Sequence, residues 1–153
     1  MIKRYDSYFE DQNHLDFFNV CYNLLEAQID GFINNSYMSV IYLLSADPTL
    51  RAHYTEVFDF ENLCILRDAL QKDWQTDSSL RTTRLLFNLW NGTCSDGEKY
   101  QRADGEMVDL PSENYTPNEL FASELGVYYW LAIQWRFCGQ WEWTEGNCFE
   151  NCR

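Results

Sequence analysis

Three cysteines near the C-terminus, Cys138, Cys148 and Cys152, are the residues whose type and spacing most directly suggest chemistry. Structural zinc sites use four thiolate or imidazole ligands in a tetrahedron. The last two thiols are three residues apart, which zinc tolerates, but no second close Cys/His pair exists. A zinc site would therefore need a distant ligand, for which the candidates are Cys21, Cys94, His14 and His53. We expect no cofactor, with Cys21 and Cys64 as small core residues and the terminal cysteines as free thiols. Zinc is the alternative.

Catalytic residue types are present, but they form no recognisable motif. A cysteine with His53 or His14 as its base would be adjacent in space rather than in sequence, so the sequence neither places nor excludes such a pair. The chain contains no nucleophile elbow, metalloprotease helix, phosphate-binding glycine loop or dinucleotide fingerprint. We therefore expect a protein that is not an enzyme, and an intracellular enzyme without a recognisable motif is an alternative.

The charge balance is strongly acidic. The chain has 24 Asp and Glu residues against 11 Lys and Arg residues, a formal net charge of −13. Nucleic-acid binding depends largely on Lys and Arg displacing counterions from phosphates, so this composition argues against direct binding of DNA or RNA. It favours a basic protein partner, or acidity that serves solubility alone.

The most acidic candidate segment is an insertion at residues 95–113. Asp96-Gly97 and Asp104-Gly105 are turn dipeptides, and the residues that flank the second one predict a short β-hairpin. The segment lacks the spacing and the final Glu of a calcium loop. Together with the C-terminal tail, 138–153, it supplies the predicted partner-binding residues, which are Asp96, Glu98, Asp104, Glu106, Asp109, Trp141 and Trp143.

The rest of the chain predicts helices. Apolar residues recur at helical spacing over residues 14–30 and 36–46, and Asp47-Pro48 predicts a cap that opens a short helix through Val57. A helix over residues 59–70 is predicted from a less regular pattern. Thr116-Pro117-Asn118-Glu119 predicts a reciprocal capping box. The stretch 125–137 is apolar on nearly every side, which predicts the central helix of the domain.

One segment carries both the clearest helix boundaries and a family resemblance. Polar residues around Ser78 predict a helix start, and Gly92 predicts its left-handed end. On the same helix, Arg81, Arg84 and Asn88 share a face, which favours internal salt bridges over an anion site.

The Trp74-Gln75-Thr76 turn with Ser78-Ser79, and the Phe87-Asn88-Leu89-Trp90-Asn91-Gly92 helix end, resemble a family of short bacterial proteins of unknown function. Members of that family are often carried on mobile elements and phages. The resemblance spans roughly residues 10 to 137 and implies a mostly helical single domain, with no activity or site to carry over. Its other matching segments are Tyr42-Leu43-Leu44-Ser45-Ala46-Asp47, Phe58-Asp59-Phe60, Tyr115-Thr116-Pro117-Asn118-Glu119-Leu120-Phe121, Tyr128-Tyr129-Trp130 and Arg136-Phe137.

We therefore predict a mainly α, single compact helical domain over residues 1–153 with a small β-hairpin insertion. With no apolar run behind the basic N-terminal residues and no membrane-length apolar stretch, we expect a cytoplasmic protein that does not enter a membrane. The predicted function is an acidic phage or mobile-element binding protein. It would inhibit a basic nucleic-acid-handling host protein, such as a nuclease, as an anti-CRISPR does. A zinc-supported interaction module is the alternative.

Overall fold

The computed structural model describes residues 8–138. This part of the chain is mainly α-helical with two small antiparallel hairpins, which confirms the predicted fold class. The helices are α1 (Gln12–Gln28), α2 (Asn35–Ala46), α3 (Pro48–Ala52), α4 (Tyr54–Val57), α5 (Asp77–Asn91), α6 (Pro117–Leu120) and α7 (Gly126–Phe137). The strands are β1 (Phe58–Asp59), β2 (Cys64–Ile65), β3 (Lys99–Gln101) and β4 (Met107–Asp109), and 3-10 helices span Arg67–Gln71 and Glu113–Tyr115.

Helix α2 is the centre of the core. Every residue from Ser39 to Ala46 is buried, and α1, α5 and α7 all pack against this helix. Its two buried serines hydrogen-bond to helix carbonyls three residues earlier, Ser39 to Ser36 and Ser45 to Tyr42, each at 2.8 Å. Because these hydroxyls are satisfied within the helix, α2 can be buried on all sides without an unpaired polar group.

The prediction that residues 125–137 form the central helix is wrong. A helix does form there, but only Tyr129 and Ala132 of α7 are buried. Val127, Trp130 and Phe137 are 69%, 54% and 68% exposed. An apolar sequence does not specify how many neighbours surround a helix, and α7 lies at the surface of the core.

Helix α5 has the boundaries that its sequence predicts. Thr76 and Ser79 form a capping box in which each side chain accepts a hydrogen bond from the other residue's backbone N–H. Gly92 ends the helix in the left-handed conformation, with φ of 79°. The buried residues of α5 lie on one face of the helix, which packs against α2.

Two local predictions fail. Residues 59–70 are not a helix but the β1–β2 hairpin followed by a 3-10 helix, because the Asp59 carboxylate accepts backbone hydrogen bonds from Glu61 and Asn62 and closes a turn instead. The capping box at Thr116 does not form, since its side chain makes no capping hydrogen bond to the four-residue helix α6.

A buried polar junction joins three distant parts of the chain. Asp47, 2% exposed, caps α3 by accepting hydrogen bonds from the N–H groups of Thr49 and Leu50. Its second carboxylate oxygen accepts from the Thr82 hydroxyl of α5 at 2.7 Å, and that hydroxyl lies 2.7 Å from the Tyr129 hydroxyl of α7. The junction satisfies the buried carboxylate with hydrogen bonds while fixing α5 and α7 against the start of α3.

Candidate protein-interaction surface

The β3–β4 hairpin projects from the helical core, as predicted for the insertion. Tyr100 pairs with Val108, and the ladder continues beyond the strands through Leu110 N–H to the Glu98 carbonyl and Arg102 N–H to the Glu106 carbonyl. Cross-strand partners share a face of a hairpin, so these three pairs lie on the same side. We call residues 98–110 the hairpin arm.

This side of the hairpin arm combines apolar and charged groups. Tyr100 and Leu110 are 44% and 42% exposed and flank the half-buried Val108. Glu98 stands at one end of the apolar group, and the Arg102–Glu106 ion pair, 3.1 Å between Nη1 and Oε2, stands at the other. Specific interfaces commonly have an apolar centre within a polar rim, and the hairpin arm has both in a small area.

The base of the arm is fixed to helix α5 by an internal ion pair. Arg84 donates two hydrogen bonds to Asp96, from Nε and Nη2, both 3.0 Å long, and Asn114 donates a third at 3.3 Å. Partial burial opposes ionisation of Asp96, but the hydrogen bonds and the charge of Arg84 lower the pKa of this carboxyl below its usual value. The Tyr115 hydroxyl also donates to the Ser95 carbonyl. A two-stranded hairpin is marginal alone, and these contacts hold its base in place.

Arg84 therefore confirms the predicted internal salt bridge on α5. Its neighbours on that face are also satisfied internally, since Arg81 donates to the Glu119 carbonyl and Asn88 to the Thr93 carbonyl. This face of α5 is a structural contact with the segments that follow it.

A cleft of about 380 Å³ opens beside the base of the arm. Its lining residues are Leu70, Gln71, Arg84, Asp96, Gly97 and Glu98. Because Asp96 already pairs with Arg84, Glu98 is the lining carboxylate that makes no ion pair within residues 8–138. The cleft continues the charged end of the hairpin arm towards the helical core.

The predicted partner-binding acids fall into two groups. Asp96, Glu106 and Asp109 are paired within the protein, the last lying 3.5 Å from Arg67 and 3.8 Å from Lys99. Glu98 and Asp104 form no ion pair in the described part of the chain. Trp141 and Trp143 lie outside the described residues. Sequence reasoning missed Tyr100, Val108 and Leu110, although their alternation along the predicted hairpin placed them on one face.

The candidate metal ligands are not brought together where the structure describes them. Cys148 and Cys152 lie outside the described residues, and Cys138 ends helix α7 with its N–H bonded to Gln134. Between residues 8 and 138, no group of three or more His, Cys, Asp or Glu side chains could hold a metal ion. Burial raises the pKa of the Cys21 thiol to about 12, so this cysteine is a protonated core residue and a poor nucleophile or ligand.

The two histidines occupy different environments. His14 is fully buried between α1, α2 and α7, and its Nδ1 accepts a hydrogen bond from the Glu10 N–H at 3.1 Å. His53 is partly exposed, stacks on Trp74 with ring centroids 4.4 Å apart, and places Nδ1 2.9 Å from Glu56 Oε1. The hydrogen bond from His53 is the main reason that the pKa of Glu56 lies below its usual value. No pattern in the sequence predicted this stacked pair, which brings the residue after α3 against the segment before α5.

None of the described helices is long and apolar enough to cross a membrane. A family model that describes a family of unknown function matches residues 4–147. No curated protein and no solved structure matches the chain.

Proposed function

The chain belongs to the DUF6075 family, a family of unknown function, and we propose that it is a non-enzymatic binding protein that engages a basic protein through its hairpin arm. The observation that carries the proposal is the arm itself. Apolar side chains at Tyr100 and Leu110 are exposed on a hairpin whose base is fixed by the Arg84–Asp96 ion pair. A contact surface held in place before binding costs less conformational entropy when the partner docks.

The charge of the arm selects the class of partner. The hairpin arm, residues 98–110, contains four acids and two bases, and the whole chain carries −13. Phosphate backbones are repelled by such a surface, whereas a Lys- or Arg-rich protein surface is attracted to it. Glu98, beside the cleft, and Asp104, at the turn, are the acids of the arm with no internal ion pair within the described chain.

In its specific form, the proposal is an inhibitor of a nucleic-acid-handling protein. Such a protein presents the basic surface that complements the hairpin arm, and an acidic protein bound there competes with nucleic acid for the same charges. An anti-defence role for a phage or mobile element, of the kind that an anti-CRISPR performs, is supported by the sequence resemblance and the net charge.

The test begins by capturing proteins from a bacterial lysate on the immobilised full chain. The captured protein is then purified, and its association with the chain is followed by surface plasmon resonance. We expect a basic protein whose association weakens as salt rises past about 0.15 M, where charges are screened beyond about 8 Å. Double-stranded DNA added to the complex should compete for the captured protein.

Charge reversal locates the contact. Glu98→Lys with Asp104→Lys should slow association about tenfold or more, because exposed rim charges steer the encounter. The matched control is Glu26→Lys with Asp30→Lys, which changes the net charge equally at exposed positions near the end of α1. If both variants slow association equally, the effect comes from net charge and not from the hairpin arm. Binding that responds neither to salt nor to either variant would overturn the proposal.

A further inference from the structure

Both strands of the hairpin arm are edge strands in the described part of the chain, since β3 and β4 pair only with each other there. The Leu110 N–H donates to the Glu98 carbonyl. The Arg102 N–H donates to the Glu106 carbonyl, so the bonded cross-strand pairs fall on alternate positions. Every second residue of each strand therefore directs its N–H and C=O away from the other strand.

On β4, the residues with outward backbone groups are Met107 and Asp109, which pair without hydrogen bonds to Gln101 and Lys99. No backbone hydrogen bond within residues 8–138 engages the outward groups of these two residues. Met107 is also 55% exposed. We call the outward N–H and C=O groups of Met107 and Asp109 the β4 edge. An open strand edge is a template for a further strand, because its donors and acceptors have the spacing of a second backbone.

Charge distinguishes the two edges of the hairpin arm. Residues 98–102, on the β3 side, include one acid and two bases, whereas residues 106–110, on the β4 side, include two acids and no base. The cations that pair with Glu106 and Asp109 are themselves about half exposed, and they are Arg67, Lys99 and Arg102. Exposed ion pairs contribute little energy, so both carboxylates stay available to another basic side chain. A basic strand therefore complements β4 better than β3.

We infer that the β4 edge binds an extended segment of the basic partner, with alternating basic and apolar residues, as an antiparallel third strand. The inference rests on the proposed function and specifies its mode of contact. Paired residues share a face, so the segment residues bonded to Met107 and Asp109 lie on the side of the Asp109 carboxylate, where basic side chains fit. The intervening residues lie beside Val108 and Leu110, where apolar side chains fit.

The first test uses a short fluorescein-labelled peptide of alternating lysine and valine, whose binding to the full chain is followed by fluorescence anisotropy. In the antiparallel register, the lysine N–H groups face the β4 edge and the valine N–H groups face solvent. Methylating the lysine backbone nitrogens should weaken binding at least tenfold, because the Met107 and Asp109 carbonyls then lose their donors.

The matched control is the same peptide methylated at its valine backbone nitrogens. It has the same charge and the same backbone modification, and it should bind like the unmethylated peptide. A loss of affinity that is not confined to the lysine-methylated peptide overturns the inference, as does an unmethylated peptide that does not bind.

Proline substitutions test the same edge from the side of the protein. Met107→Pro removes an outward N–H of β4 and leaves the ladder bonds in place, so it should weaken peptide binding about tenfold. The matched control is Gln101→Pro, which removes the outward N–H of the paired residue on the β3 edge and should leave binding unchanged. Equal binding by the two variants overturns the inference. If thermal unfolding shows that either variant does not fold, the methylated peptides decide the question on the wild-type chain.

The captured basic protein separates this inference from the proposed function. If its association depends on salt but is the same for Met107→Pro and Gln101→Pro, the hairpin arm binds a basic protein without adding a strand, and the inference is wrong. If the peptides show the expected pattern but no basic protein associates with the chain, the β4 edge binds strands and the proposed function is wrong.

Discussion

Helices α2 and α7 have the same length, twelve residues, and neither contains an acidic residue, yet the fold uses them differently. In α2 the chain is buried without interruption from Ser39 onward, whereas α7 buries only Tyr129 and Ala132. Their sequences are both apolar around most of the helix. The difference shows that the composition of a helix limits where it can be placed, while its neighbours decide how much of it is buried.

The neighbours of the two helices explain the difference. Helix α2 receives α1, α5 and α7 around its circumference, so no side remains open. Helix α7 contacts α2, α5 and residues of α1 from one side, through groups such as Tyr128 and Trp135. Val127, Trp130 and Phe137 of this helix remain exposed.

The largest expected difference in stability is between one truncation in α2 and one truncation in α7. Leu44→Ala in α2 should lower the free energy of unfolding by about 2–5 kcal/mol, since it removes a fully buried side chain and leaves a cavity. Val127→Ala in α7 should change it by at most about 0.5 kcal/mol, as is usual for exposed positions. Urea unfolding of both variants measures the contrast. Similar losses from both truncations would show that the outer side of α7 is covered.

Acid should lower the free energy of unfolding by a comparable amount, through the buried histidine that packs against both helices. His14 packs against Tyr42 of α2 and Tyr128 of α7, with ring centroids 5.1 and 5.6 Å away. Burial, and secondarily the charge of Arg51, lower the pKa of His14 from 6.5 to about 4, while Asp11 acts in the opposite direction. The unfolded chain therefore binds the proton more readily than the folded chain, and stability is lost as pH falls from 6.5 to 4.

This shift corresponds to about 3 kcal/mol of unfolding free energy at one pKa unit per 1.36 kcal/mol. His14→Phe should remove that part of the acid dependence and leave the part contributed by carboxylates. The measurement is the urea midpoint of both proteins at several pH values between 7 and 4. Parallel pH dependences for the wild type and the variant would show that His14 becomes protonated without cost, and hence that the α7 side of the core is open to water.

The smallest effect on stability is expected at the exposed part of α7. Trp130→Ser removes a large side chain that is 54% exposed, so the free energy of unfolding should change by no more than about 1 kcal/mol. Thermal unfolding at low protein concentration checks this value. A loss as large as that of Leu44→Ala would place Trp130 in the core and remove the distinction between the two helices.

The features that the sequence predicted correctly are those encoded within a few residues. Thr76 and Gly92 bound α5 through local capping, and the Asp104-Gly105 turn fixes the hairpin register. The failures concern long-range packing or competing local bonds. Residues 125–137 look central because an exposed apolar face and a buried one have the same composition, and residues 59–70 lose their helix to the hydrogen bonds of Asp59.

The candidate site was predicted in part. Charge and turn dipeptides identified the hairpin. They could not distinguish the acids that form ion pairs within the protein from the acids that do not. Asp96 has a structural role because it pairs with Arg84, which lies twelve residues earlier in α5. That pairing depends on tertiary contact rather than on spacing in the sequence. The apolar side of the arm was missed, although the predicted Asp104-Gly105 turn implies the register that places Tyr100 and Val108 on one face.

The buried junction of Asp47, Thr82 and Tyr129 has a consequence for the order in which the chain folds. Its two side-chain links connect residues that are 35 and 47 positions apart, so each closes a long loop of chain. Local capping of α3 by Asp47 needs no such closure and can form early. The links to α5 and α7 are therefore expected to form after the folding transition state, and their loss in Thr82→Val would mainly accelerate unfolding while leaving the folding rate nearly unchanged.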